Sequence, residues 1–325
     1  MRRFLRATML AMGLLASALP AVAAEPTPLI IGTGNILGVY FPTAGAICRR
    51  IREVYGEKAP PCRELASAGS TFNLSMLRRG FPVMNMAVVQ GDTLYHSVHG
   101  EGQFARDGRD PTTRSVMALA TEAFNIVARN TSFGEGLASL RGLRVSVGSA
   151  GSGMAPTVDA ALAAAQVGRY EFRQIDNLSA NDQPFQLCRN TIDAFFFVAA
   201  TPSAAVEEAT TSCDSRLIAP TVETVTRLVS GYPYYVPVTV PGGVYRNNPT
   251  PVATFGVPAI LATRAGMADD AVYAVVKAVM DDLPAIRRLH PALAHLQAEE
   301  MVPKSDLAPI HPGALRYFRE RNLLD

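Results

Sequence analysis

Three glycine-containing loops restrict the fold of this chain more than any other feature. Each follows a short apolar strand pattern and precedes apolar residues at helical spacing, so the local order is strand, loop, helix. This order predicts α/β units with mainly parallel sheets, and it places the loops at the carboxyl ends of strands, where ligands bind in such sheets. The loops are Thr33–Asn35, Ala68–Thr71 and Gly148–Gly153.

Two long extended segments, near residues 115–130 and 250–264, interrupt an otherwise regular alternation of strands and helices. They can carry the chain out of one α/β lobe and back, so we expect two lobes with a cleft between them. The expected first lobe comprises residues 25–120 and 255–325, and the second comprises residues 121–254. The helix predicted last is a single long one, from Asp269 to Leu289, with aspartates at its start and arginines in its last turn.

The first 24 residues have the pattern of a secretory signal peptide. Arg2, Arg3 and Arg6 precede an apolar run, and the small residues Ala21-Val22-Ala23 follow Pro20. The run is too short to span a membrane. We therefore expect cleavage after Ala23 or Ala24 and a periplasmic location for the mature protein.

Charge and composition exclude several classes of function. The formal net charge is +2, and loss of the three leader arginines leaves −1, so nothing suggests nucleic-acid or polybasic membrane binding. Charged residues make up 18% and hydrophobic residues 48% of the chain, which is typical of a globular protein.

Four cysteines follow the leader: Cys48, Cys62, Cys188 and Cys213. None forms a C-x-x-C motif, which disfavours zinc, and an even number in an exported protein indicates disulfides. Three pairings are possible. We favour Cys48 with Cys62 and Cys188 with Cys213, because each closes a short loop worth roughly 3 kcal/mol in the chain-entropy model.

The glycine loops have two interpretations. The free N–H groups and positive dipole of a helix start favour an anion, and glycine allows it to approach closely. Tight turns and helix N-caps require the same residue types without any ligand. For one loop the structural interpretation is the better one, but three loops in successive α/β units favour a shared anion site.

Nucleotide binding and catalysis receive no support from the motifs. A dinucleotide fingerprint in the first loop would need glycine where Leu37 or Tyr40 stands. Tyr273 and Lys277 match a dehydrogenase Y-x-x-x-K only by chance, since they lie far from that loop. There is no G-x-S-x-G elbow, and the five histidines lack metal-binding spacing. We therefore expect no catalytic residues, no metal and no cofactor.

Several motifs in order resemble one protein family. IGTGNILGVYFPTAGAICRRI, ASAGSTFNLSMLRRG, MAVVQGDTLYHS and LRGLRVSVGSAGSGMAPTVDAAL are similar to segments of TAXI proteins, and shorter matches extend to IHPGALRYFRE. TAXI proteins are the solute receptors of one branch of the tripartite ATP-independent periplasmic (TRAP) transporters. The resemblance covers residues 30–319. Cysteines at similar positions recur in part of that family, which supports the favoured pairing.

The resemblance implies a two-lobed periplasmic binding protein of type II that closes on a small organic anion. We expect the protein to be a monomer. The anion would be a dicarboxylate, a keto acid or an amino acid such as glutamate, handed to TRAP membrane permease subunits. The positions carried over as ligand-facing are Thr33, Gly34, Tyr40, Ser70, Gln90, Ser149, Gly151, Ser152 and Gly153.

Departures from the family pattern occur beside this set. Asn35 and Ile36 stand where glycine or serine is usual, Gly91 replaces serine, and Thr93 replaces tryptophan. The ligand can therefore differ from the family's usual ones. No Arg or Lys lies in the three loops, so a carboxylate would rest on backbone amides unless Arg129 or Arg173 reaches it.

Two other functions stay open at this point. A ligand-sensing receptor of the same fold would feed a membrane signalling partner, and neighbouring genes for a permease would distinguish it from a transport protein. A secreted α/β enzyme would need a nucleophile or an acid–base pair, which the sequence does not reveal.

Overall fold

The computed structural model describes residues 27–131 and 134–324. The expected signal peptide lies outside the described residues. The described chain forms an α/β fold whose ten strands join in one curled mixed sheet.

The first α/β unit alternates strands and helices as the loops predict. Strand β1 pairs in parallel with both β2 and β3, so the carboxyl ends of the three strands meet at one edge. The elements are β1 (Leu29–Gly32), α1 (Tyr40–Tyr55), β2 (Cys62–Leu65), α2 (Ser70–Arg79), β3 (Met86–Gln90) and α3 (Gly91–His99).

A second α/β unit repeats this arrangement after the long strand β4 (Thr113–Arg129). Strand β5 pairs in parallel with β6 and β7. The elements are β5 (Arg144–Ser146), α4 (Met154–Ala164), β6 (Gln174–Asp176), α5 (Asp182–Cys188), β7 (Ala194–Ala199), α6 (Ala204–Ser212), β8 (Ser215–Ile218), α7 (Val222–Gly231) and β9 (Val236–Val240).

The second long strand, β10 (Val252–Arg264), brings the chain back to the first unit. It lies antiparallel between β3 and β4, while the far half of β4 pairs with β7 and β8. The strand order is β2-β1-β3-β10-β4-β7-β5-β6. The two predicted extended segments are therefore the strands that connect the units, and the predicted α/β class is confirmed.

The final helices pack beside α1 on the first unit. They are α8 (Asp269–Met280), α9 (Leu283–Arg287) and α10 (Pro312–Glu320). Ile47 and Ile51 of α1 are fully buried in a cluster that includes Val276 of α8 and Phe318 of α10. Burial of such side chains contributes roughly 1.5–3 kcal/mol each, so this cluster fixes α1 and its amino end.

The prediction of one long helix over 269–289 is wrong. The helix ends at Met280, and Asp282 caps a new short helix by accepting a hydrogen bond from the Ala285 N–H. Pro284 explains the break, because proline lacks the N–H that a continuous helix would need there.

The two disulfides join the predicted pairs. Cys48 of α1 bonds Cys62 at the start of β2, and Cys188 at the end of α5 bonds Cys213 at the end of α6. Each bond therefore connects elements of the same α/β unit.

Candidate functional site

A cavity of about 270 Å³ lies where the carboxyl ends of six parallel strands converge. The loops after β1, β2, β5 and β6 supply its walls, together with Gln90 at the end of β3. Its floor contains Glu122 from the middle of β4 and residues 197–199 of β7. This is the position at which α/β sheets bind ligands, and the volume suits a small solute.

Three helices begin at the cavity. Tyr40 starts α1, Ser70 starts α2 and Met154 starts α4, and all three residues line it. None of these helices has an acidic residue in its first turn. The positive dipole ends are thus uncompensated by their own side chains, which favours a negatively charged group nearby.

Seven of the nine residues proposed from the resemblance line this one cavity: Gly34, Tyr40, Ser70, Gln90, Ser149, Ser152 and Gly153. Thr33 and Gly151 are not among the residues that line the cavity. The buried Thr33 hydroxyl donates to the Leu65 carbonyl at 2.9 Å, and the Gly151 carbonyl accepts from the Phe72 N–H at 3.1 Å. Ligand contact by any of the nine stays a prediction.

The second and third glycine loops, which both line the cavity, also touch each other. The Thr71 hydroxyl donates to the Ser152 carbonyl at 2.9 Å. Gly69 has φ +112°, and an added β-carbon there would lie 3.1 Å from Ser152 Cα. Only glycine adopts such a backbone at low cost, so Gly69 permits this close approach. The loop at Gly34 shares the cavity with both.

A buried polar network also connects the two units. The Gln90 amide donates to the Thr157 hydroxyl at 3.0 Å, and that hydroxyl donates to Asp92 Oδ2 at 2.6 Å. The Tyr235 hydroxyl donates to the same oxygen at 3.2 Å. Burial raises the pKa of Asp92, although its hydrogen bonds from Thr157 and Thr93 act in the opposite direction.

Glu122 and Tyr40 form the second buried polar pair. The Tyr40 hydroxyl donates to Glu122 Oε2 at 2.5 Å, and Glu122 is only 3% exposed. Burial raises the pKa of both groups well above their ordinary values, and the negative charge of Asp92 adds to the rise for Glu122. Among the described residues that line the cavity, these two are the ionisable ones.

Neither arginine considered from the sequence lines the cavity. Arg129 is held at the far end of β4, where its guanidinium contacts Asp193 at 2.8 Å. Arg173 precedes β6 at the opposite end of that strand from the cavity. A bound anion would therefore depend on backbone N–H groups, hydroxyls and helix ends.

Glu122 and Asp92 were missed from the sequence, although each has a signal. Glu122 is the only charged residue in the apolar segment 115–128. Because burial of an unpaired charge is costly, a single carboxylate in such a strand indicates a hydrogen-bonding partner or a functional role. Asp92 follows the end of β3 by two residues, in the first turn of the next helix.

A larger cavity of about 760 Å³ lies elsewhere on the sheet. Thr121 and Ala123 line it, and they flank Glu122, so they point to the opposite face of β4. Its other walls come from residues 233–244 and from the segment 292–307, and they are largely aliphatic. The charged or ionisable side chains of His295, Glu299, Glu300 and Lys304 also line it, but none of the three glycine loops does.

In residues 27–131 and 134–324, no group of three or more His, Cys, Asp or Glu side chains is placed to hold a metal ion. Within the same ranges no helix has both the length and the apolar character needed to cross a bilayer.

Solved structures share this fold. A protein from Bordetella bronchiseptica RB50 superposes with a TM-score of 0.54 at 13% identity, over 92% of this chain and 99% of that one. XAC2383 from Xanthomonas citri, bound to ATP, superposes with a TM-score of 0.51 at 12% identity, over 92% of this chain and 100% of that one. The alkanesulfonate-binding protein SsuA from Xanthomonas axonopodis pv. citri, bound to MOPS, superposes with a TM-score of 0.50. Its identity to this chain is 13%, over 93% of this chain and 96% of that one.

The fold of this chain is thus the one shared by these solved structures, among them a protein that binds alkanesulfonates. Residues 31–321 match the model of the NMT1-like family, and the chain belongs to that family. The family match does not distinguish TAXI proteins from other members, so membership of the TAXI group stays a prediction.

Proposed function

We propose that this protein captures a small organic anion in the periplasm and delivers it to a TRAP-type secondary transporter. The anion is a dicarboxylate, a keto acid or an amino acid such as glutamate. The observation that carries the proposal is the cavity at six strand ends, into which three helices direct uncompensated amino ends.

Binding rather than catalysis fits the chemistry of the cavity. Serines 67, 70, 149, 152 and 179 line it, but no described histidine or lysine lies in the lining to activate them. Tyr40 and Glu122 are hydrogen-bonded to each other, so they form no evident acid–base pair directed at a substrate. A secreted enzyme is therefore the weaker candidate.

The division into lobes at residues 120–121 and 254–255 belongs to the same proposal. The contacts of Thr71 with Ser152 and of Asp92 with Thr157 would form when the lobes close on the ligand. A sensory receptor would use the same closure, so transport rests on the resemblance to TAXI proteins.

A thermal-shift screen of carboxylates, keto acids and amino acids tests the binding step. A ligand at about 100 times its dissociation constant should stabilise the protein by about 2.7 kcal/mol. Calorimetry then measures the best compound, and its uptake is compared in cells with and without the cognate permease. Failure of every anion to shift the melting temperature, or tight binding of NAD(P), would overturn the proposal.

A further inference from the structure

We propose that Glu122 selects the ligand by binding a positively charged nitrogen, so that the cavity takes a zwitterionic amino acid in preference to a dicarboxylate or a keto acid. This inference rests on the proposed function and narrows its three ligand classes to one. The ammonium group would face Glu122 on the floor, and the carboxylate would face the helix amino ends.

The described residues that line the cavity offer several hydrogen-bond donors for an anion but only one carboxylate for a cation. The hydroxyls of Ser70 and Ser149, the second N–H of the Gln90 amide and three helix starts can donate hydrogen bonds to a carboxylate. The other three lining serines already donate within the protein. Glu122 is the one carboxylate among the described lining residues, and no described lining residue is a cation. A ligand with an anionic end and a cationic end matches both parts of this surface.

A dicarboxylate matches less well. Its second carboxylate would have to lie among the same few donors or approach Glu122, where two carboxyl groups can sit together only while one of them keeps a proton. A monocarboxylic keto acid has no second carboxylate, but its carbonyl can only accept a hydrogen bond, so it offers an ionised Glu122 no donor. An ammonium group instead gives the buried carboxylate the partner that burial of a charge requires.

The geometry of Glu122 is fixed by its neighbours. It lies in the middle of β4, opposite Val257 of β10 and next to Ala123, which pairs with Ala199 of β7. The hydroxyl of Tyr40 occupies Oε2, and no described side chain or backbone group hydrogen-bonds Oε1. Oε1 is thus available to a ligand, and Tyr40 is a positioning residue that orients the carboxylate.

Because of the charged groups around Glu122, the affinity for an amino acid should depend on pH. The titratable groups that act on Glu122 are Tyr40 at the start of α1 and Asp92 in the first turn of α3. Burial and Asp92 raise the pKa of Glu122 in the free protein, whereas a bound ammonium group would lower it. Binding of an amino acid should therefore release a proton and become tighter as pH rises, while a keto acid should show no such gain.

Matched ligand pairs test the inference on the wild-type protein. Calorimetry would compare glutamate with 2-oxoglutarate, leucine with 4-methyl-2-oxopentanoate and alanine with pyruvate, with succinate as the dicarboxylate, at acidic and at neutral pH. We expect at least one amino acid to bind about 10-fold more tightly than its keto acid, a difference of about 1.4 kcal/mol. Equal or tighter binding of the keto acid, or of succinate alone, overturns the inference and leaves the proposed function intact.

Three variants test whether Glu122 causes the preference for an amino acid. Glu122→Gln should remove the preference for the amino acid over its keto acid, whereas Tyr40→Phe should weaken binding and keep the preference. Thr121→Ala lies next to Glu122 on the opposite face of β4 and should change neither. A retained preference in a folded Glu122→Gln protein contradicts the inference. Absence of binding by every anion overturns the proposed function as well.

Discussion

Thr157 and Asp92 stand 65 residues apart in the chain, yet the Thr157 hydroxyl lies 2.6 Å from Asp92 Oδ2. The first residue belongs to α4 and the second to α3, so this hydrogen bond joins the two α/β units. Gln90 donates to the same hydroxyl from the cavity edge. The bond therefore connects the cavity of about 270 Å³ to the contact between the units.

Thr157→Val should weaken ligand binding. It removes the hydroxyl that satisfies both Gln90 and Asp92, at a cost of about 1–2 kcal/mol, so affinity should fall roughly 5- to 30-fold. Thr157→Ser retains the hydroxyl and serves as the matched control. Calorimetry gives the affinity, and small-angle scattering with and without ligand reports closure. If Thr157→Val binds as the wild type does, the network has no part in binding.

Gly69→Ala should also oppose closure. At φ +112° an alanine backbone is strained by about 1–3 kcal/mol, and the new β-carbon would face Ser152 Cα at 3.1 Å. We expect Gly69→Ala to lower the affinity for the ligand by more than the general destabilisation of the fold, measured as a lower melting temperature, can account for. Gly266→Ala is the control, because a β-carbon there meets no atom within 4 Å. Equal effects of the two substitutions would contradict the proposed contact.

Ser152→Asp tests the anion-binding end of the cavity. An acidic residue here should not destabilise α4, since a negative charge near a helix start contributes about 0.3–1 kcal/mol of stability. It should nevertheless repel the ligand carboxylate and lower the calorimetric affinity at least about 10-fold. Ser152→Asn gives a neutral side chain of the same shape and should lose much less. A wild-type affinity in Ser152→Asp would place the carboxylate elsewhere.

The disulfides should contribute to stability without contributing to the site. Replacing Cys188 and Cys213 together by serine should lower the free energy of unfolding by about 3 kcal/mol, measured in urea, and leave ligand affinity unchanged. Peptide mapping of the non-reduced protein should recover Cys48 linked to Cys62. A peptide that links Cys48 to either of the other two would refute the pairing.

Asp193 should make the protein sensitive to acid. Hydrogen bonds from Arg144 and the charge of that residue lower its pKa to about 2, and Arg129 contributes further. Because the folded-state pKa lies below the unfolded value, the stabilisation is present above about pH 4 and is lost as pH falls towards 2. Asp193→Asn should remove about 2 kcal/mol at neutral pH and flatten this part of the pH profile. Urea unfolding at several pH values would show it, and an unchanged profile would exclude Asp193 as the cause.

Local patterns predicted the strands and helices that carry the cavity. Strand–loop–helix order placed Gly34, Ser70 and Ser152 correctly at strand ends, because parallel pairing brings such ends to one edge. The break at Pro284 was missed, because apolar spacing continues through it while the backbone cannot.

The buried acidic groups could not be placed from local patterns. Glu122 meets Tyr40 across 82 positions of sequence, and Asp92 meets Tyr235 across 143. Such contacts depend on which strands become neighbours and on the register between them. The connecting strands were predicted, but their pairing with β3 and β7 was not.

The position of β10 has a consequence for how the chain can acquire its structure. Residues 259–263 of this strand fill the gap between β3 and β4, so the sheet of the first unit stays open until synthesis has passed residue 263. The segment from β5 to β8 can pair with β4 beforehand. The amino-terminal unit should therefore mature after the unit that follows it in the chain. Long-range pairing of this kind is intrinsically slow and leaves strand edges exposed meanwhile.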